Sequence, residues 1–145
     1  MPTSKANAQW NGDLKNGNGT MELESGSYKG AYSFASRFEN GDGTNPEELI
    51  GAAHAGCFSM ALSLELSEAG YDPESIDTRA EVTFEVVDSD PGITGIKLIT
   101  EANVPDIDDD KFQQFAEGAK EGCPVSKALA GTEILLDATL LPTVK

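Results

Sequence analysis

The chain has 145 residues, a length typical of one domain with a modest core, and we expect a single domain spanning residues 1–145. It contains 25 acidic residues against 10 Lys and Arg residues, which gives a formal net charge of −15 at pH 7. So strong a negative charge argues against nucleic acids and anionic membranes as partners, because both would repel the protein.

The first ten residues, MPTSKANAQW, contain no apolar run of the kind found in export signals, so we expect a cytoplasmic protein. A reducing compartment disfavours a permanent structural disulfide. The two cysteines of the chain are then free core residues, metal ligands or a redox pair.

Three strands are predicted in the N-terminal third, near residues 6–11, 20–24 and 29–39. In the third strand the alternation places aromatic side chains on one face, which is the expected core face. Arg37 then lies on the opposite face, among small residues.

A long helix is predicted from residue 46 to residue 69. Asn45 is a suitable N-cap, Pro46 fits the first helical position, Glu48 completes a capping-box pattern, and Gly70 supplies the stop. The helix is too short and too rich in Gly, Ser and His for a convincing membrane span.

This helix has no charged residue between Leu49 and Leu64, so we expect it to be buried on all sides. The expected apolar stripe consists of Ile50, Ala53, Cys57, Met60, Ala61 and Leu64.

The second half of the sequence predicts a β-hairpin over residues 79–87 and 94–104, with the turn in SDPGI. A helix capped by Asp108 or Asp109 follows and runs to about Glu121. A short helix through Ala130 and a last strand over residues 133–141 complete the chain.

The two cysteines lie in different settings. Cys123 immediately precedes Pro124 at the start of the short helix, where unpaired N–H groups favour a thiolate. Cys57 lies in the middle of the long helix, where it is either an ordinary core residue or one member of a dithiol.

A reactive Cys57 would need a nearby cation, because burial raises the pKa of a thiol. The chain has only two arginines, and Arg79 lies on the exposed face of the hairpin, so Arg37 is the candidate. The alternative is that Arg37 merely pairs with Glu39 or another surface carboxylate.

The sequence contains few motifs that are typical of other classes of function. It has no phosphate-binding loop and no C-x-x-C motif. Two alternatives to a redox enzyme stay open: a zinc-binding module that uses His54, Cys57 and Cys123, and a non-enzymatic stress-response binding protein with unreactive thiols.

Two segments, NPEELIGAAHAGCFSMAL and GCPVSKAL, resemble the OsmC/Ohr family of osmotically inducible and organic hydroperoxide resistance proteins. SFASRF and ILLDATL extend the resemblance over nearly the whole chain, and the arginine just before the long helix is similar to the OsmC branch. The resemblance implies an α+β fold with N-terminal antiparallel strands, a long buried central helix, a β-hairpin, a second helix pair and a C-terminal strand. It also implies an intertwined homodimer.

The resemblance further implies thiol-dependent reduction of organic hydroperoxides, without a metal or an organic cofactor. Cys57 matches the peroxidatic cysteine and Cys123 the resolving cysteine, while Arg37 and Glu47 match the pair that orients and activates the thiolate. The implied reductant is a dithiol such as dihydrolipoamide, free or on a lipoylated protein.

Helix geometry adds an expectation about the dimer. Glu47 precedes Cys57 by ten residues, or ~15 Å along an unbroken helix, so the two side chains of one chain cannot meet. We therefore expect two long helices to lie antiparallel, so that Glu47 of one chain approaches the Arg37–Cys57 site of the other.

Overall fold

A computed structural model describes residues 2–142, in two compact units that divide between Leu49 and Ile50. The fold is α+β, as predicted. Its elements are β1 (Ala6–Asn11), β2 (Asn18–Leu23), β3 (Lys29–Tyr32), α1 (Phe34–Phe38), α2 (Pro46–Glu68), β4 (Ser75–Val87), β5 (Asp90–Asn103), α3 (Asp109–Gly122), α4 (Pro124–Ala128) and β6 (Ile134–Leu140).

The first unit contains an antiparallel sheet in the order β1-β2-β3. Trp10 and Tyr32 pack across it with ring centroids 5.3 Å apart, on either side of the buried Gly19. A Cβ atom at Gly19 would lie 2.7 Å from the ring of Tyr32 and 2.8 Å from that of Trp10. Only glycine therefore allows the two rings to approach this closely.

The predicted third strand is wrong beyond Tyr32, because residues 34–38 form the short helix α1. Ser33 caps this helix through a reciprocal pair of hydrogen bonds: the N–H of Ser36 donates to Ser33 Oγ, and the N–H of Ser33 donates to Ser36 Oγ. This capping box outweighs the alternating pattern. Phe34 and Phe38 consequently stack one helical turn apart, and Arg37 lies in the last turn.

Helix α2 begins as predicted, with Asn45 Oδ1 accepting a hydrogen bond of 2.8 Å from the N–H of Glu48. It is continuous from Pro46 to Glu68. By length and composition it would pass for a membrane-spanning helix. A core helix passes the same test, so this is weak evidence for a membrane location.

The predicted apolar stripe of α2 is not its buried face. His54, Phe58, Leu62 and Leu66 are fully buried, whereas Met60 is 75% and Leu64 58% exposed. The sequence did not reveal which face of α2 is buried, because the helix carries small and apolar residues on all of its faces and has no charged face opposite the buried one. The helix is therefore buried along one stripe of the single chain and not on every side.

The second unit contains a sheet in the order β4-β5-β6, in which β4 and β5 are antiparallel and β6 is parallel to β5. The hairpin turn lies at Asp88 and Ser89, with φ of 51° and 66°, instead of over SDPGI. Two consecutive positive φ values match the right-handed twist of the strands, so β5 already begins at Asp90.

The core of this unit lies between the sheet, the buried stripe of α2 and one face of α3. Alternate residues of β5 are buried, among them Ile96, Leu98 and Ala102, whereas Val86 of β4 is 56% exposed. A register shift between Thr83 and Phe84 separates Val86 from the regular alternation. Helix α3 is capped by Asp108, as predicted, and buries Phe112, Ala116 and Ala119.

Candidate functional site

Two of the predicted site residues, Arg37 and Glu47, form an ion pair in the first unit. Arg37 Nε donates to Glu47 Oε1 at 2.8 Å, and the Glu47 side chain is only 7% exposed. Arg37 comes from the last turn of α1 and Glu47 from the first turn of α2. A buried carboxylate thus fixes the direction of the guanidinium group.

The loop between these two helices is held by side chains at its ends. Ser36 Oγ donates to the carbonyl of Thr44 at 2.7 Å, and Asn45 Nδ2 donates to the carbonyl of Ser36 at 3.0 Å. These bonds join the end of α1 to the start of α2 and place Arg37 beside Glu47.

The expectation that Glu47 pairs across a dimer with the Arg37 of another chain is wrong, because Arg37 pairs with Glu47 of its own chain. The expectation rested on the spacing of Glu47 and Cys57 along one helix, and that spacing does not limit the distance between Glu47 and Arg37 of the same chain. The second oxygen of the carboxylate, Glu47 Oε2, is buried and has no hydrogen-bond partner among residues 2–142.

A cavity of about 390 Å³ lies beside Arg37 within the first unit. Its side-chain lining is mainly aromatic and aliphatic, and the guanidinium carbon of Arg37 lies 5.9 Å from the ring centre of Phe38. The lining includes Trp10, Leu14, Tyr32, Phe34, Arg37 and Phe38. Such a lining suits an apolar group attached to a polar head.

The other two predicted site residues, Cys57 and Cys123, form a reduced pair in the second unit. Cys57 lies in the middle of α2 and is half-buried, whereas Cys123 is fully buried. At the end of α3 the backbone N–H of Cys123 donates a hydrogen bond to the carbonyl of Ala119. The next residue, Pro124, begins α4. The two thiols interact, because each one shifts the pKa of the other.

The environment moves the pKa values of the two thiols in opposite directions. Burial raises the pKa of Cys57, and the hydrogen bond with Cys123 raises it further, against a smaller lowering by the backbone of Val125. Burial also opposes the Cys123 thiolate. Hydrogen bonds from Cys57, Ser126 and the backbone of Val125 outweigh that effect and lower the pKa of Cys123.

Cys123 therefore carries the negative charge more readily, as predicted for a cysteine at this position. Its side chain makes no capping hydrogen bond to the start of α4.

The sequence did not indicate that Ser126 contacts His54, and zinc binding was the one role that it suggested for His54. His54 is fully buried, and its Nε2 lies 2.7 Å from Ser126 Oγ. Burial lowers the pKa of His54, so the ring is neutral near pH 7. The available signal was spacing: His54 precedes Cys57 by three residues on α2, and Ser126 follows Cys123 by three.

The zinc alternative finds no support in the arrangement of ligands. Over the described range, residues 2–142, no three His, Cys, Asp or Glu side chains are grouped to hold a metal ion. The imidazole of His54 is instead directed at Ser126.

The sequence model of a family described as OsmC-like protein matches residues 39–137. Peroxiredoxin OsmC of Escherichia coli K12 is 54% identical over 137 residues, which cover 94% of this chain and 95% of that protein. Organic hydroperoxide resistance protein OhrB of Bacillus subtilis is 36% identical over 94 residues, covering 64% of this chain and 67% of that protein.

A crystal structure of OhrB of Bacillus subtilis has the same fold, with a TM-score of 0.70 and 27% identity over 96% of this chain and 98% of that one. The higher identity with the OsmC protein agrees with the branch indicated by the position of Arg37. On its sequence and on its fold, the chain belongs to the OsmC-like family.

Proposed function

We propose that this protein is a thiol peroxidase that reduces organic hydroperoxides to alcohols in defence against oxidative and osmotic stress. The observation that carries the proposal is the pair of reduced cysteines, a half-buried Cys57 in α2 and a fully buried Cys123 at the start of α4, whose pKa values are moved apart. The names of the relatives, peroxiredoxin and organic hydroperoxide resistance protein, support the same chemistry.

The reaction begins at Cys57, the more accessible thiol. Its thiolate attacks the terminal peroxide oxygen; an S–O bond forms, the O–O bond breaks, and the alkoxide leaves and takes a proton as the alcohol. Cys57 is now a sulfenic acid. Cys123 attacks that sulfur, the S–O bond breaks, and hydroxide leaves as a disulfide forms.

Arg37 and Glu47 are proposed to serve this step by favouring the Cys57 thiolate, whose pKa is otherwise raised by burial. A guanidinium at ~4 Å with an effective dielectric constant of ~20 contributes ~4 kcal/mol. That energy corresponds to roughly three pKa units, enough to offset a substantial desolvation effect. The role of Glu47 is then to hold the guanidinium in one orientation.

The active protein is proposed to be a homodimer, in which a second copy of the chain covers the exposed stripe of α2. Exposed apolar residues along a regular helix favour such a partner, and Gly56 has no atom of its own chain within 4 Å of an added Cβ. In this dimer the Arg37–Glu47 pair of one chain serves the Cys57–Cys123 pair of the other. The exposed stripe consists of Ala52, Ala53, Gly56, Met60 and Leu64.

The aromatic cavity beside Arg37 is proposed to receive the organic part of the hydroperoxide. Its apolar lining favours alkyl or aryl hydroperoxides over hydrogen peroxide, which has no apolar group to bury.

The disulfide needs an external thiol for its reduction, and a dithiol such as dihydrolipoamide, free or lipoylated, fits this requirement. Attack at Cys57 is favoured because Cys123 is fully buried. Reduction of the disulfide is an exchange between thiols and a disulfide, and the proposed reaction as a whole requires no metal or organic cofactor in the protein. We place the reaction in the cytoplasm, where such reductants keep thiols reduced.

A titration of the reduced protein with an organic hydroperoxide tests the proposal. One equivalent of cumene hydroperoxide should remove both free thiols and lower the intact mass by two hydrogen atoms. Cys57→Ser protein is the matched control and should leave the peroxide untouched. Two thiols remaining after one equivalent would leave a non-enzymatic binding protein as the better description.

A further inference from the structure

A row of buried hydrogen-bonding groups leads away from the cysteine pair into the core. His54 Nε2 lies 2.7 Å from Ser126 Oγ, and the hydroxyl and backbone N–H of Ser126 both act on the Cys123 sulfur. Cys123 in turn acts on Cys57, because each of the two thiols shifts the pKa of the other. His54, Ser126 and Cys123 each have at most 5% of their surface exposed, so no bulk water screens the row.

The directions of these bonds follow from the chemistry of the groups. A thiolate has no proton, so it can only accept, and the Ser126 hydroxyl, three residues after Cys123 in the first turn of α4, is a buried group able to donate to it. The Ser126 oxygen is then free to accept from His54, which requires the tautomer with its proton on Nε2.

The other ring nitrogen agrees with this assignment. His54 Nδ1 is buried without a hydrogen-bond partner among residues 2–142. In the Nε2–H tautomer this atom is an unpaired acceptor. The opposite tautomer would instead leave a buried N–H donor unpaired and would point two acceptors at one serine proton.

We propose that His54 and Ser126 are positioning residues that hold Cys123 ready, as a thiolate, to form the disulfide with Cys57. This inference rests on the thiol peroxidase function proposed above and assigns it two further residues. Neither residue contacts peroxide; each acts through the next one in the row.

The row serves both directions of the sulfur chemistry. In oxidation, the Cys123 thiolate attacks the sulfur of the Cys57 sulfenic acid, the S–S bond forms, and the S–O electrons leave with hydroxide. In reduction, an external thiolate attacks Cys57 and the S–S electrons return to Cys123. Its stabilised thiolate makes Cys123 the better leaving group, so the reductant is directed to Cys57.

The test separates the two half-reactions by stopped-flow mixing of reduced protein with one equivalent of cumene hydroperoxide. Ser126→Ala should slow conversion of sulfenic acid to disulfide by roughly tenfold, the effect of losing one hydrogen bond to a charged group. The preceding consumption of peroxide should not be slowed. Ser126→Thr, which keeps the hydroxyl, should restore the rate of disulfide formation.

Ser59→Ala is the matched control, because it removes a half-buried hydroxyl that bonds the backbone of Ala55 and the side chain of Thr78 instead of the cysteines. Equal rates of disulfide formation in wild type, Ser126→Ala and Ser59→Ala would overturn the inference. Peroxide left unconsumed by the wild type would instead refute the proposed function itself.

A second readout is independent of activity, because His54 is the single histidine of the chain. An ¹H–¹⁵N spectrum of the reduced protein should show one neutral imidazole with its proton on Nε2. The Nε2 signal should shift in Ser126→Ala protein and when the cysteines are oxidised. A proton on Nδ1 would overturn the inference, even if a variant failed to fold.

Discussion

Arg37 and Glu47 are ten residues apart in the sequence, yet Arg37 Nε lies 2.8 Å from Glu47 Oε1 within one chain. The short helix α1 and the capped start of α2 bring them together. The carboxylate is buried and the guanidinium only partly so, which leaves a cation held firmly with part of its surface exposed.

Arg37→Ala should raise the apparent pKa of the Cys57 thiol by one unit or more, because it removes the cation proposed to stabilise the thiolate. Peroxide consumption should then fall roughly tenfold near pH 7, and less at pH 9, where the thiol ionises without help. Thiolate absorbance during a pH titration measures the shift.

Arg79→Ala is the control for this experiment, because Arg79 pairs loosely with Glu81 at 3.6 Å on the surface. It should leave the thiol titration unchanged. Identical titration curves for the two variants would make Arg37 a structural residue.

The two cysteines should fail in different ways when replaced. Cys57→Ser should abolish peroxide consumption, because no sulfenic acid can form. Cys123→Ser should consume one equivalent per chain and then stop, because nothing resolves the sulfenic acid. Trapping that acid with dimedone, followed by peptide mass analysis, identifies the oxidised residue. Sustained turnover by Cys57→Ser protein would reverse the assignment.

A shared site predicts complementation between two inactive chains. In a heterodimer of Glu47→Ala with Cys57→Ser, one site combines an intact Arg37–Glu47 pair with an intact Cys57–Cys123 pair. About half of the wild-type activity per dimer is expected, since one of two symmetric sites works.

The heterodimer should be purified with two different affinity tags, so that its composition is known. Glu48→Ala paired with Cys57→Ser gives the reference value for one working site, because Glu48 lies next to Glu47 but is exposed, and its carboxylate accepts a hydrogen bond from Thr44. No activity in verified Glu47→Ala heterodimers would show that each site is built from one chain.

His54 predicts a stability change in mild acid. Burial lowers its pKa below 6.5 in the folded chain, so the unfolded chain binds more protons below that pH. The free energy of unfolding should therefore fall as pH decreases through 6.5. His54→Gln, which places an uncharged N–H donor near the Nε2 position, should lose this part of the pH dependence.

Urea unfolding at pH 5 and pH 8 measures the effect as a difference between the two proteins. Glu65 acts with the opposite sign: burial and the neighbouring Glu68 raise its pKa, so its contribution to stability decreases as pH rises. Because Glu65 is present in both proteins, its contribution cancels. An equal pH dependence in both would mean that His54 is protonated without penalty.

The sequence predicted most elements because their ends carry strong local signals. Asn45 with Glu48, and Asp108 before α3, cap their helices as their residue types suggest. The prediction of a strand through residue 39 was wrong because it rested on the alternating aromatic residues and did not take account of the capping box formed by Ser33 and Ser36. Phe34 and Phe38 fit a strand face and a helical turn equally well.

The site was only partly readable from the sequence, for a related reason. Cys57 and Cys123 lie in distinctive segments, whereas the bond between His54 and Ser126 joins residues 72 positions apart. No periodicity links such positions. A lone histidine on an apolar helix is usually a satisfied core residue, and only the folded chain shows which group satisfies it.

The parallel pairing of β6 with β5 sets an order on folding. Because β6 is parallel to β5, the chain between them, which contains α3 and α4, must cross the sheet before β6 can pair. The Gln113 side chain of α3 donates a hydrogen bond of 2.7 Å to the carbonyl of Ala138 in β6. The packing of α3, which ends just before Cys123, against β6 can therefore form only after residues 134–140 have been synthesised. Until then the nascent chain already contains both thiols but lacks the packing that β6 provides. It is exposed in this form to the oxidants that the finished protein is proposed to remove.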